Sequence, residues 1–506
     1  MSSTVLLPRP RPARPGRAAA LPSWSPSGEA PLPWVRRAAD APYFELDTGE
    51  PWTPIGQNDA ITWPELAGLF RGRDLPGVEA ELRRMRAHGV TVLRLMLEYC
   101  HREHRYFERP AGRVVPAMVR LWDDLFTLCE RVGMRILLTP FDTFFTWIRW
   151  RKHPYARANG GPCPDRGRLA VCADTRALIK ARLAFAAERW GGSGALFAWD
   201  LWNELHPAHG GGDAAALADF VGDLSAHVRA VELREHGRAH PQTVSVFGPE
   251  LERSPGLAEI IFRHPTLDFA SSHLYATGTI DDPRDTVVPA LDVARLVRTA
   301  LGEIADGRPF LDSEHGPIHA FKDRHRILPA AFDDEYFRHI QWAHLAAGGA
   351  GGGMRWPNRH PHVLTPGMRR AQRALAAFLP LVDWGRFRRR PLADDVLAAV
   401  DDAPVAPGAA ARAPVRVVAC GDARQVVAWL VRTDTRAADG RVRADAAPRQ
   451  VRLALPALDA GRYRLTAWDT AAGREREVRE VAHAGGLLDV PVAVASDLAL
   501  AARRLD

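Results

Sequence analysis

Apolar positions along residues 44–384 follow two patterns that take turns. One repeats every three or four residues: Val78, Leu82 and Met85 in residues 75–88, and Met118, Leu121, Leu125 and Leu128 in residues 116–132. That spacing predicts amphipathic helices, the first stopped by Gly89, and similar segments cover 174–190, 213–233, 286–305, 333–347 and 366–382. The other pattern is a short, nearly continuous apolar run: WTPIGQN, VTVLRLML, MRILLTP, LFAWDLW, TVSVFG, LDFASSHL and RPFLDS. Runs of that length predict strands buried on both faces. Strands alternating with helices predict a parallel sheet closed into a (β/α)8 TIM barrel. GGAGGGMRW, in residues 348–356, has to supply the eighth strand although its five glycines weaken one. Beyond about residue 390 the pattern changes to alternating runs such as VRVVACGDARQVVAWLVRT and GRYRLTAWDT, which predict a C-terminal all-β sandwich. The expected domains are an N-terminal arm over 1–40, a barrel over 41–390 and a sandwich over 391–506.

Two of the apolar runs end in carboxylates. LFAWDLWNELHP, residues 196–207, delivers Asn203, Glu204 and His206, and RPFLDSEHGPIH, residues 308–319, delivers Glu314 and His315. The C-terminal ends of barrel strands are where catalytic side chains collect. Two carboxyls at one such face suit glycosidic bond cleavage, in which one carboxyl donates a proton while the other stays ionised. Arg94 is a cation inside an apolar strand and requires a carboxylate partner. Asn58 ends the first strand, and Phe144, Phe145, Trp147 and Trp150 cluster after the third. These rings either pack their loop onto the barrel or offer faces to a sugar.

WNE at one strand end and SEHG at another resemble the acid/base and nucleophile motifs of clan A glycoside hydrolases, and within the clan family 5, the cellulase and β-mannanase family. The similarity runs from residue 44 to about 384. It implies that Glu204 is the acid/base and Glu314 the nucleophile of a retaining β-glycosidase acting on a β-linked glucan, mannan or related glycoside. By the same resemblance Arg94 lies beneath the nucleophile, His273 and Tyr275 position it, Trp356 floors the subsite of bond cleavage, and Asn58, Asn203 and Trp147 support or bind substrate. One departure stands out: many members place a histidine at the third strand's end, where this chain has Pro140-Phe141-Asp142. A different class of function, a non-catalytic carbohydrate-binding or scaffolding protein on a hydrolase barrel, would be favoured by loss of either carboxylate.

Composition changes this picture little. Hydrophobic residues make up 46% and charged residues 25%, as in ordinary globular proteins. The net charge of +7 suggests nucleic acid, but residues 1–40 hold six arginines against Glu29 and Asp40 and so supply four of the seven charges. That Pro- and Arg-rich composition predicts a disordered arm and no nucleic-acid partner. No charged segment followed by a 7–15-residue apolar core opens the chain, and no run is long enough to span a membrane. Five cysteines leave at least one unpaired, so a cytoplasmic protein is expected, with Cys163 and Cys172 near enough in sequence to bridge if exported. Cys100, His101 and His104 share one loop without a zinc spacing, which predicts loop polarity and no metal. No cofactor is implied, and oligomeric state is left open. The C-terminal domain is expected to serve packing ahead of sugar binding.

Overall fold

The structure, a computed structural model, describes residues 21, 23–26, 31–70, 72–98, 106–276, 278–318, 327–357, 359–392, 397–401, 403–404 and 413–506. Strands β1 (Val35–Arg37), β2 (Phe44–Leu46) and β3 (Pro51–Trp52) form an antiparallel sheet under the barrel. Phe44 and Trp52 plug the barrel floor against Phe197, with ring centroids 5.0 and 4.6 Å away. The arm expected over residues 1–40 therefore ends sooner. Trp34 is buried and stacks on His240 at 3.8 Å, and Trp24 Nε1 donates to Thr127 Oγ1 at 3.0 Å. Single aromatic anchors outweigh the arm's composition because each buries a large apolar surface.

The barrel follows in strict alternation. β4 (Gly56–Asp59), α1 (Leu75–Ala87), β5 (Val92–Met96), α2 (Pro116–Val132) and β6 (Arg135–Thr139) make its first part. The short α3 (Thr143–Ile148) and the long α4 (Ala173–Trp190) lead to β7 (Leu196–Asp200), α5 (Ala214–His236) and β8 (Gln242–Thr243). α6 (Gly248–Arg253), α7 (Leu257–Arg263), β9 (Ala270–Leu274), α8 (Val288–Glu303), β10 (Phe310–His315), α9 (Ala330–Ala346), β11 (Met354–Arg355) and α10 (Pro366–Phe378) complete it. The parallel order is β8-β7-β6-β5-β4-β11-β10-β9, and the seam from β8 to β9 is bridged at Phe247 and His273. The helix signals act as their chemistry dictates: Asp74 accepts from Gly77 N at 3.0 Å to cap α1, and Gly133 ends α2 in a left-handed turn. The glycine-rich eighth strand is present but only two residues long. A Cβ at Gly351 would lie 1.9 Å from Pro54 O, so the glycines admit a close backbone approach at the cost of ladder length.

The remaining chain is a sandwich of β12 (Arg390–Pro391), β13 (Leu397–Val400), β14 (Ala403–Pro404), β15 (Val415–Gly421), β16 (Gln425–Arg432), β17 (Arg449–Leu458), β18 (Gly461–Asp469), β19 (Arg474–His483), β20 (Gly486–Val494) and β21 (Asp497–Arg504). Its six-stranded sheet runs β12-β15-β16-β21-β18-β19, and its four-stranded sheet β14-β13-β17-β20. Alternate residues of β16 serve different cores. Val427, Trp429 and Val431 join the barrel's hydrophobic core, whereas Val426, Ala428 and Leu430 join the core between the two sheets. Trp429, Tyr463 and Trp468, the Trp and Tyr residues of this domain, which has no Phe, are buried.

A buried ion pair fastens the layers. Asp497 of β21 takes Arg338 Nη2 of α9 at 2.9 Å and Trp429 Nε1 at 3.2 Å, and Thr470 Oγ1 also donates to it. Although burial opposes ionisation, Arg338 and His339 beside it hold the carboxyl far below its usual range. A group with a depressed folded pKa stabilises the fold above its unfolded pKa and loses that contribution as pH falls. Asp497→Asn should cost about 3 kcal/mol at pH 7, because it strands a buried guanidinium. The gap to the parent should narrow below about pH 4, as read by calorimetric unfolding. Cutting the chain after residue 390 should expose the apolar helix faces and bring aggregation or a lower Tm. A soluble truncated barrel that melts with the parent would overturn this packing role.

Candidate active site

Arg94 occupies the centre of the barrel's C-terminal end, with its side chain fully buried. Its Nη2 lies 2.7 Å from Asp200 Oδ2 of β7, and its Nη1 donates to Asn58 Oδ1 at 2.9 Å and to Glu314 Oε2 at 3.1 Å. Nη2 also donates to Asn203 Oδ1. Ser245 Oγ donates to Asp200 Oδ2 at 2.9 Å and thus completes that carboxylate's shell. A cation this deep is tolerable only when anions and dipoles surround it, and five elements of the barrel supply them.

Glu314 is set by an irregularity in its own strand. The β10 ladder with β9 shifts register between Asp312 and Glu314, a device that re-aims a side chain at a strand end. Besides Arg94, Glu314 Oε1 accepts from Tyr275 Oη at 2.8 Å. Glu204 reaches its place differently, four residues past the end of β7 and at φ +50°, a left-handed conformation uncommon outside glycine. Asn203 before it bridges to Asp142, so the extended chain ends of β6 and β7 hold each other.

The two carboxyls lie close, and His273 stands between them. One ligand atom from each of Glu204, His273 and Glu314 can be chosen so that all lie within 4.8 Å of one another. His273 Nδ1 is 2.9 Å from Glu204 Oε1 and 3.7 Å from Glu314 Oε2. Burial drives His273 down to about 4, so the ring is neutral near pH 7. Burial raises both glutamates, Glu204 to about 7. What opposes burial differs: Glu314 has a guanidinium and a phenol in contact, while Arg94 acts on Glu204 only through a longer-range Coulombic attraction. Direct donors to both Glu314 oxygens thus work against its burial, while Glu204, raised to about 7, keeps a proton available. The same three groups are the one cluster of His and acidic side chains, among the described residues, compact enough to surround a cation. A cation there would have to displace the Glu204 proton.

These groups open onto a cavity of about 370 Å³. Trp356 and Met96 line its side near Glu314, and Trp356 meets Trp63 edge-on at 5.0 Å. Phe144, Trp147, His206 and Phe247 also line it, Phe247 packing on Tyr275 with ring centroids 5.4 Å apart. Trp147 is a packed wall: Arg166 sits 5.2 Å over its ring and His206 meets it edge-on at 4.6 Å.

The structure brings Arg94, Asn203, Glu204, His273, Tyr275 and Glu314 together, with Trp356 and Trp147 in the cavity wall. Two placements add detail to the sequence reading. His273 lies nearer Glu204 than Glu314, because both Glu314 oxygens already have donors. Asn58, the register partner of Arg94 on the neighbouring strand, accepts from the guanidinium beside it, its own amide donating to Ser313 O at 2.9 Å and Met354 O at 3.2 Å. The Cys100, His101 and His104 loop lies outside the described residues. Sequence reasoning passed over Asp200, Ser245 and Asp142. A lone acid in an apolar strand opposite a lone arginine was the available signal for Asp200. Asp142 accepts from Asn203 Nδ2 and from Phe145 N, capping α3, and burial followed by the Glu204 charge raises it to about 7.

No family model matches the sequence, and no curated protein matches it. Among solved structures, a protein described as a glycoside hydrolase superposes with TM-score 0.57 and 13% identity, over 94% of this chain and 98% of its own. A glycoside hydrolase family 5 protein from Bacteroides vulgatus ATCC 8482 superposes with TM-score 0.59 and 12% identity, over 94% of this chain and 95% of its own. At these identities the likeness is one of fold: barrel and sandwich together have the architecture of those structures.

The electrostatics yield a direct check. Carbon-13 NMR of labelled carboxyls should find a glutamate titrating near pH 7 that disappears in Glu204→Gln. Asp142, raised in part by the Glu204 charge, should titrate lower in the same Glu204→Gln variant. A spectrum in which every glutamate titrates near its ordinary ~4.3 would contradict the geometry.

Proposed function

We propose that this chain is a retaining glycoside hydrolase that cleaves O-glycosidic bonds of a β-linked glucan, mannan or related saccharide. The observation that carries the reading is the close approach of Glu204 and Glu314, with atoms within 4.8 Å of each other, in surroundings that keep a proton on the first and give both oxygens of the second a donor. Carboxyls about 5–5.5 Å apart leave no room for a water between them and serve double displacement, whereas inverting pairs stand roughly 6.5–9.5 Å apart. The shared fold with structures described as glycoside hydrolases supports the same reading.

In the first step Glu314 attacks the anomeric carbon as the glycosidic C–O bond breaks, and Glu204 transfers its proton to the departing oxygen. In the second, Glu204 takes a proton from the attacking water, the bond to Glu314 breaks, and the β configuration is restored. Arg94 and Tyr275 hold Glu314 charged and aimed. Neutral His273 orients Glu204 without competing for its proton. Trp356 supplies an apolar face on the Glu314 side, where a sugar C–H face can rest. Asn203, fixed by Arg94 and Asp142, lines the cleft beside Glu204.

The parent enzyme should release a β anomer as first product, seen by proton NMR during early turnover; an α anomer would sink the assignment. Glu314→Ala should be inactive on every substrate. Glu204→Ala should lose natural oligosaccharides while still undergoing the first step with activated aryl glycosides, whose leaving groups need no proton. Because bond cleavage uses protonated Glu204, kcat/KM should fall as pH rises through about 7. Silence of the parent across β-linked glucose, mannose and galactose oligosaccharides would reject the reading as a whole.

A further inference from the structure

The C-terminal domain reaches the barrel through more than its covering sheet. Between β16 and β17 the chain leaves the sandwich in a small hairpin, closed by Ala437 N donating to Arg441 O at 2.8 Å and Arg443 N to Thr435 O at 2.8 Å. The hairpin docks on the loop that joins β9 to α8 and begins at Tyr275. Arg436 Nη2 lies 3.0 Å from Asp285 Oδ2, and Gly440 O accepts from Thr286 N at 3.1 Å. Val442 N donates at 2.8 Å to Glu335 Oε1, which also takes Thr286 Oγ1 at 2.8 Å. Val442 itself is buried in the barrel's core cluster. The contact is tight at the tip: Gly440 has φ +84°, and a Cβ there would lie 2.4 Å from Arg284 O.

From this grip the loop leads back to the cavity. Asp285 Oδ1 accepts from Val287 N and Val288 N at 2.9 and 2.8 Å, starting α8. Ile280 O accepts from Tyr336 Oη at 2.8 Å, and Asp281 O accepts from Ile318 N at 3.1 Å. Ile318 lines the cavity, four residues beyond Glu314. One end of the loop therefore carries the phenol that touches Glu314, its middle carries a backbone group that fixes part of the cavity wall, and its far end is held by the other domain.

We propose that Arg436, Gly440 and Val442 of the C-terminal domain are positioning residues for the cleft, holding the loop over 275–288, and through it Ile318, in the shape that binds a saccharide. The saccharide rests on the reading under Proposed function; the brace does not. The domain thereby contributes to the cleft from outside it, without an exposed aromatic ring of its own.

The test compares Gly440→Ala and Arg436→Ala with the parent in the full chain, with Arg436→Lys as the conservative control. Hydrogen exchange by mass spectrometry should be roughly tenfold faster in peptides covering 276–288 and 314–318 of Gly440→Ala, with the remaining barrel and sandwich peptides unchanged. KM for an oligosaccharide should rise while kcat on a small activated aryl glycoside is kept, and Arg436→Lys should behave as the parent. Exchange in those two peptides equal to the parent's overturns the brace whatever the activity. Faster exchange with unchanged KM overturns its role in substrate binding. A parent inactive on all glycosides rejects the glycosidase reading while the exchange result still decides the brace. If Gly440→Ala exchanges fast everywhere, Arg436→Ala, which adds no bulk, decides in its place.

Discussion

The buried guanidinium of Arg94 is the constraint on which the rest of the site depends. A cation with no exposure has to be neutralised from several directions, and here β4 supplies Asn58, β7 supplies Asp200, the segments after β7 and β8 supply Asn203 and Ser245, and β10 supplies Glu314. Because each partner comes from a different part of the barrel, the charge couples the closure of the sheet to the geometry of the site. Asp200 balances the cation internally, and Glu314 shares it from the other side of the guanidinium. Asn58, beside Arg94 on the neighbouring strand, is itself fixed by its amide on Ser313 O.

The difference between the two glutamates grows from the same centre. Both are buried enough to be raised, so burial alone does not assign roles. The assignment comes from which donors touch which oxygen: a guanidinium and a phenol on Glu314, a neutral imidazole on Glu204. Backbone geometry adds to it, through a register shift before Glu314 and a left-handed residue at Glu204, both of which swing a side chain off its strand's regular direction. Asp142 extends the network to the other side of Asn203 and to the start of α3, so the cavity wall bearing Phe144 and Trp147 is tied to the same polar centre.

The sandwich is joined to this machine as a third layer of one structure. Its six-stranded sheet has two apolar faces, one for the barrel and one for the second sheet, and the Asp497–Arg338 pair closes the boundary between barrel and sheet. With the domain's Trp and Tyr rings buried and no Phe present, its surface offers no such ring on which a sugar could stack.

By itself the sequence determined what local period and residue type can determine. The 3.6-residue and continuous apolar patterns defined α1, α2 and the strands of the barrel, and the change to alternating runs marked the sandwich. WNELHP and DSEHG placed two acids at strand ends, and Arg94 declared a buried pair by being alone among apolar residues. Only the tertiary structure decided who meets whom. That Arg94 is shared with Asp200, that His273 leans to Glu204, that Asn58 accepts from Arg94, and that residues near Gly440 hold a barrel loop from another domain all depend on distances across the closed sheet. Those distances follow from register, from one bulge and from how an eighth strand of two residues closes the barrel. A one-residue change of register turns a side chain to the opposite face while leaving every local pattern intact, which is why the sequence carries the elements and the fold carries the site.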